Sequence, residues 1–304
     1  MSNTNLTFLK EIVILGFDEN LSIRILIFTT LLVGYVVTIV GNCLIIVLVL
    51  VSPRLHSPMY FFLCHLAITD MIVPSDVIPN LLYVTLSGRG TLSILGCLTQ
   101  LFFFGISANT ECLLLTVMSY DRYLAICRPL HYKSIMSHKL QVLLTTCCWV
   151  VGFSLSLMVT CHILTLSFCG TNTINHFFCD LDPVLDLSCS DTFVIDIEVL
   201  VVGILIIFLA CVFIVVTYVC IFHAILGSPI TTGRKKVFST CTSHLTVVCT
   251  YYGTLFANYL SPVSGRIKYL SLLNTVMTPL LNPVIYSLRN QEIRSVLKTY
   301  IPFQ

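Results

Sequence analysis

The sequence predicts an all-α membrane protein: a seven-transmembrane helix bundle with its N-terminus outside and a short amphipathic eighth helix after the last span. Three observations predict it. First, the 304 residues are 57% hydrophobic and only 10% charged, with a mean hydropathy of +0.96, whereas a soluble domain carries roughly 25% charged residues. Second, seven segments approach the ~20 apolar residues that a spanning helix needs: 24–51, 57–82, 95–126, 140–166, 195–226, 236–260 and 269–288. Third, the cationic residues fall unevenly between the two sides. With the N-terminus outside, eleven Lys and Arg lie inside, Arg54, Arg122, Arg128 and Arg234 among them, and five lie outside. That excess orients the chain N-out and C-in, as a multi-pass protein of the plasma membrane.

Composition also excludes alternatives. A net charge of +2 makes no case for nucleic acid. Fifteen cysteines are too dispersed for a disulfide miniprotein. The first 24 residues lack the clean apolar core and small-residue cleavage site of a signal peptide, so the first span is expected to do the targeting. The chain divides into an extracellular tail (1–23), the spanning domain (24–289) and a cytoplasmic amphipathic helix with its tail (290–304). Asn5-Leu6-Thr7 in the tail is an N-glycosylation acceptor.

The second and seventh spans are the most polar and carry proline, which points to inward-facing roles. The third can be read as a ruler. Phe104, Ala108, Glu111, Leu115, Met118 and Arg122 follow helical steps and share one face. From Phe104 to Arg122 that face runs ~27 Å, at 1.5 Å per residue. The connection between spans four and five holds Asp180, Asp182, Asp186 and Asp191 with no Lys or Arg, as an outside loop can. In span seven, Pro283 removes a backbone hydrogen bond beside Asn282 and Tyr286, which marks a place to bend. After it, Ile293, Val296, Leu297 and Tyr300 recur at helical spacing, as on a helix lying against the inner membrane face.

Asp70 and Glu111 fall at similar mid-membrane depth, together with Asn42 and Asn282. An unpaired carboxylate there costs ~2.5–3.5 kcal/mol or more, and two in contact cannot both stay ionised cheaply. A bound cation or a shared proton would resolve the conflict. Four cysteines lie outside, Cys97, Cys169, Cys179 and Cys189. They allow three pairings, and spacing alone does not choose among them.

The fifteen residues 118–132, MSYDRYLAICRPLHY, close span three. They resemble the signature of odorant receptors, a branch of the rhodopsin-like G-protein-coupled receptors. Residues 55–63 (LHSPMYFFL), 235–245 (KKVFSTCTSHL) and 279–290 (PLLNPVIYSLRN) extend the resemblance over essentially the full chain. So do the loop strings around Cys169, Cys179 and Cys189. Two departures are Val237, where the family usually has Ala, and Ile195-Asp196, where it often has Asn-Glu. The resemblance implies disulfides Cys97–Cys179 and Cys169–Cys189, and sodium at Asp70 and Glu111 with Asn42 and Asn282 around it. It implies an activation switch built from Asp121, Arg122, Tyr123, Asn282, Pro283 and Tyr286.

It also implies a ligand pocket in the outer half of the bundle, whose residues are expected to be Phe104, Ala108, Asn109, Cys112, Val202, Ile206, Tyr252, Leu255, Phe256, Tyr259 and Thr275. Tyr252 and Tyr259, seven apart, face the same way, and Tyr252 takes the place of the wider superfamily's toggle aromatic. That lining shows no obvious charge unless Glu198 faces in, and suits a small, mostly apolar volatile. The expected function is an odorant receptor that activates the heterotrimeric stimulatory (olfactory) G protein and raises cyclic AMP, with membrane lipid around it and no cofactor other than the sodium ion. A rhodopsin-like receptor for a non-odorant small molecule is the alternative. An ion-coupled transporter is disfavoured because no internal repeat is seen. An enzyme is not expected, since no nucleophile–base pair is evident and His244 has no evident partner.

Overall fold

The computed structural model describes residues 10–17, 19–169, 171–227, 232–260 and 264–300, without the side chains of 232–240, 258–260, 264–270, 273–274, 288–289 and 300. In chain order the helices are α1 (Leu21–Val51), α2 (Pro58–Ser87), α3 (Ile94–Cys127), α4 (Pro129–Ile135), α5 (His138–Ile163), α6 (Leu181–Leu185), α7 (Phe193–Val202), α8 (Leu209–Gly227), α9 (Thr232–Leu260), α10 (Ser264–Arg289) and α11 (Gln291–Tyr300). A π-turn at Gly203–Phe208 fuses α7 and α8 into one long helix. Among the described residues, five helices are long and apolar enough to cross a membrane: α1, α2, α3, α5 and α7–α8. Asn5 lies outside the described residues.

Local chemistry sets the helix ends. Asn20 caps α1 by accepting from the Ile23 amide at 3.1 Å. Pro58 opens α2 at a position where no amide is needed. Gly88 closes α2 at φ 82°, a left-handed cap suited to glycine. The Arg24 guanidinium crosses from α1 to the last turn of α2, where Nε donates to the Thr85 carbonyl at 2.7 Å and Nη2 to that of Leu86. A cation there also meets the negative end of the helix dipole. Ser93 caps α3 by accepting from the Gly96 amide at 3.0 Å.

Burial sorts the helices. About half of the most apolar stretch of α2 (56%) and α3 (50%) is buried, against 11% for α7–α8. The first two are therefore the centre of the bundle, and α7–α8 shows most of its apolar surface outward. Small residues let α3 and α5 approach closely, as they do between membrane helices. A Cβ on Gly152 would stand 2.3 Å from Thr110 Oγ1 and 3.0 Å from the Ile106 carbonyl oxygen. In the same interface Ser156 Oγ donates to the Phe102 carbonyl at 2.7 Å.

One element corrects the all-α expectation. A small three-stranded sheet, β1 (Glu11–Leu15), β2 (Arg89–Ser93) and β3 (Thr173–Ile174), stands at the end of the bundle that carries the disulfides. Its order is β2-β1-β3, with β1 antiparallel to β2 and parallel to β3. In β1 the side chains alternate. Ile12 and Ile14 are fully buried against Val84, Leu98 and Ile174, while Glu11 and Leu15 are exposed. A period of two over five residues is a strand signal, and it is too short to register beside 20-residue apolar segments.

Candidate functional site

At the disulfide end, the long connection from α5 to α7 folds down as a cover. Cys97–Cys179 ties it to the first turn of α3, and Cys169–Cys189 closes it on itself. Gln100 completes the anchor by accepting from the Cys179 amide and donating to the Asp76 carbonyl, each at 2.9 Å. The next residue, Asp180, caps α6 through the Leu181 amide and accepts from Ser271 Oγ on α10 at 3.3 Å. His176 Nε2 lies 3.9 Å from Asp180 Oδ2. α6 is thereby held across the mouth of the bundle.

Beneath α6 lie two adjoining cavities, of about 230 and 220 Å³. Phe104, Ala108, Asp180, Leu181, Val199, Tyr251 and Leu255 line both. Asn109, Cys112, Val202 and Ile207 belong to the first; Glu111, Ser271, Thr275 and Thr278 belong to the second. A third, of about 590 Å³, opens on the outward flank between α7 and α9, along Leu200, Ile204, Phe208 and Phe256.

Of the expected pocket residues, the structure brings Phe104, Ala108, Asn109, Cys112, Val202, Leu255 and Thr275 to the adjoining cavities, and Phe256 to the flanking one. Two are placed differently. Ile206 lines none of the three; Ile207 does. The cause is the π-turn, whose wider turns carry one face through Val199, Gly203 and Ile207 in steps of four. Tyr252 also lies outside the three linings and is buried with its hydroxyl 3.1 Å from Cys112 Sγ. Tyr251 takes the wall position and donates to the Ala108 carbonyl at 2.9 Å. Its signal in the sequence is the four-residue step to Leu255. The side chain of Tyr259 lies outside the described residues. Glu198 pairs with His162 Nδ1, between α7 and α5. The expectation of an uncharged lining is nonetheless corrected, because Glu111, Asp180 and Asp182 all line the second cavity.

Below the cavities the polar mid-helix groups converge. Asn282 Nδ2 donates to both Asp70 carboxylate oxygens, at 2.9 and 3.0 Å. Asn42 Nδ2 donates to the Thr38 and Pro279 carbonyls, at 3.0 and 3.3 Å. Asp70 and Glu111 are both buried, and Glu111 Oε1 has no hydrogen-bond partner. Two buried carboxylates, one with an oxygen that lacks a hydrogen-bond partner, are oxygen donors of the kind a hard cation takes, whereas Asn282 presents its amide nitrogen to Asp70. Among the described residues no group of three or more His, Cys, Asp and Glu could hold a metal ion.

At the far end of α3, Asp121 is fully buried and gathers its neighbours. Arg122 donates to Asp121 Oδ2 from Nε at 3.0 Å and again from Nη2. The Tyr132 hydroxyl on α4 donates to Asp121 Oδ1 at 2.7 Å. Tyr123 packs, half-buried, against the core. Tyr286 is fully buried in α10, four residues past Asn282, with Pro283 between them. The Tyr60 hydroxyl reaches from α2 to Asn290 Oδ1 (3.0 Å) and Glu292 Oε2 (2.8 Å) at the start of α11. His244 does have a partner: its Nδ1 lies 2.7 Å from the Tyr218 hydroxyl.

Comparison with known proteins bears on what this arrangement is for. A family profile described as "Olfactory receptor" matches residues 31–302. The chain is 43% identical to "Olfactory receptor 1G1" of Gorilla gorilla gorilla over 99% of its own length and 97% of that relative. It is 42% identical to "Olfactory receptor 13A1" of Homo sapiens, over 99% of this chain and 93% of the relative. To "Olfactory receptor 10A2" of Homo sapiens it is 46% identical, over 90% of this chain and 92% of the relative.

Proposed function

The chain belongs to the olfactory receptor family, and from that premise we propose how it works: a small, mostly apolar volatile binds the paired cavities under α6, and a stimulatory G protein is engaged at the opposite end, raising cyclic AMP. A multi-pass odorant receptor of a family that couples to G proteins and is not enzymatic needs two separated sites joined by something stiff. α3 is that connection. Phe104, Ala108 and Cys112 line the cavities at one end, and Asp121 with Arg122 stands at the other. This is the observation that carries the reading.

The disulfides support an outer position for the α6 end, since bridges persist in an oxidising compartment. The arginine-rich end then faces the cytoplasm, and α11 lies along the inner membrane face with Arg294 and Lys298 toward lipid headgroups. At rest, Asp121 holds Arg122 and Tyr132. Agonist favours the arrangement in which this contact is released, by binding it more tightly than the resting one. α10 supplies a second moving part, because Pro283 lets it bend between Asn282 and Tyr286. Sodium, held by Asp70 and Glu111 with Asn282 and Asn42 nearby, would offset one of the two buried negative charges and so favour the resting packing.

The test is cyclic AMP in cells that display the full chain, screened with small volatiles beside Arg122→Ala. A dose-dependent signal that disappears in the variant at equal surface level is the expected result. A signal that survives the substitution would show that Arg122 is not part of the coupling.

A further inference from the structure

The cavity walls say more about the ligand than its size and polarity. Four carboxylates, those of Glu111, Asp180, Asp182 and Asp196, line the three cavities, and no Lys, Arg or His appears among the described lining residues. The second cavity has acids at both ends, with Asp180 and Asp182 on the α6 cover and Glu111 on the floor. Glu111 is only 6% exposed, and its Oε1 has no hydrogen-bond partner. At the mouth, Asp182 is exposed. Partial desolvation by the surrounding chain first, and then the carboxylates of Asp180, Asp186 and Asp196, push its carboxyl above the ordinary range. Acids gathered this way are costly until a cation arrives among them. Between the two ends the walls are Phe104, Tyr251 and Leu255. These are apolar, and the aromatic faces attract an ammonium.

Resting on the odorant-receptor reading, we propose that the ligand is a small protonated amine, its ammonium held between Asp180 and Asp182 and its alkyl chain laid along Phe104, Ala108 and Leu255. An alcohol of the same length brings no positive charge to the cover's acids. A carboxylate of the same length is repelled by them.

The experiment measures thermal stabilisation of the full-length receptor in detergent by hexylamine hydrochloride, hexan-1-ol and sodium hexanoate, then cyclic AMP in cells with the same three probes. Hexylamine should act at a concentration about tenfold or more below hexanol, the scale of a charge-assisted hydrogen bond, and hexanoate should not act. Asp180→Asn with Asp182→Asn should erase the preference. Asparagine keeps the α6 cap, and the ligand-free melting temperature reports whether the variant is folded. Asp182→Asn alone, on the exposed rim, serves if the pair is unstable, and Asp186→Asn, outside the cavity lining, should keep the preference for the amine. Hexanol or hexanoate matching hexylamine would overturn the proposal. So would stabilisation by calcium chloride that hexylamine cannot displace, which would give the acids to a metal ion. Amine binding without cyclic AMP would uphold the site and count against the signalling reading. Signalling by neutral volatiles with no amine binding would uphold the receptor and remove the amine.

Discussion

Tyr132→Phe tests the resting contact with a single oxygen atom. The phenol donates at 2.7 Å to Oδ1 of Asp121, and Arg122 occupies Oδ2. Asp121 is fully buried, so water does not replace the lost donor. Burial first, and then the Asp121 charge, raise the Tyr132 pKa above its ordinary value of 10.0. The hydroxyl therefore keeps its proton, and remains a donor, across the physiological pH range. A hydrogen bond to a charged group contributes about 1.5–3 kcal/mol, and each ~1.4 kcal/mol is tenfold in an equilibrium. If the active arrangement lacks this bond, its share relative to the resting one rises roughly 10- to 100-fold. A receptor resting near 1:99 would move to about 1:10 or even 1:1. The assay is ligand-free cyclic AMP at matched surface level, with the agonist maximum as the scale. Basal signal should climb to a substantial fraction of that maximum, and agonist should act at lower concentration. An unchanged basal signal with unchanged agonist potency would mean that the Tyr132–Asp121 bond is the same in both arrangements, and that the contact is not a resting latch.

Other perturbations separate the remaining parts. Tyr251→Phe removes the 2.9 Å bond to Ala108 at the cavity wall, worth about 0.5–1.5 kcal/mol. It should weaken agonist potency several-fold and more than Tyr252→Phe; the opposite ranking in concentration–response curves would return the wall position to Tyr252. Exchanging sodium for potassium at constant ionic strength should lower the melting temperature of the purified receptor by a few degrees, at about 2–4 °C per kcal/mol, and should leave Asp70→Asn unmoved. An equal shift in both would remove the cation from that site. Gly152→Val should abolish surface display, because a side chain there meets the Ile106 carbonyl as well as Thr110, and overpacking costs about 1–3 kcal/mol. Gly203→Ala, with nothing within 4 Å of the added carbon, should be displayed normally.

The long helices were visible in the sequence because the bilayer imposes a length: ~20 apolar residues in a row have few other uses. Glu111 stood out for the same reason, as a charge that such a segment cannot carry idly. The strand β1 obeys a different rule. Ile12 and Ile14 gain their burial from Val84, Ile174 and the disulfide-tied cover, so the strand exists only through contacts remote in the chain. The cysteine pairing has the same character. Spacing left three pairings open, and the resemblance chose the two bonds that the fold contains.

Phase and convergence explain what stayed hidden at the site. A helical face is projected with a period of 3.6 residues, and the π-turn at Gly203–Phe208 breaks that period, so Ile207 stands where Ile206 was expected. Tyr251 and Tyr252 are neighbours on one helix; a step of seven from Tyr259 picks out Tyr252, which stands behind the wall against Cys112, whereas the four-residue step from Tyr251 to Leu255 marks the wall itself. The acids of the connection between spans four and five are the deeper case. In the sequence, Asp180, Asp182, Asp186 and Asp191 without a cation mean only a loop on the outer side. The bond from Cys97 to Cys179 turns that loop over the cavity and brings Asp180 and Asp182 above Glu111, which lies about seventy residues earlier in the chain. The charge of the pocket is therefore a property of the closed loop rather than of any one helix. A mutation that opens the Cys97–Cys179 link should impair ligand selectivity even with every cavity-lining residue of α3, α9 and α10 intact.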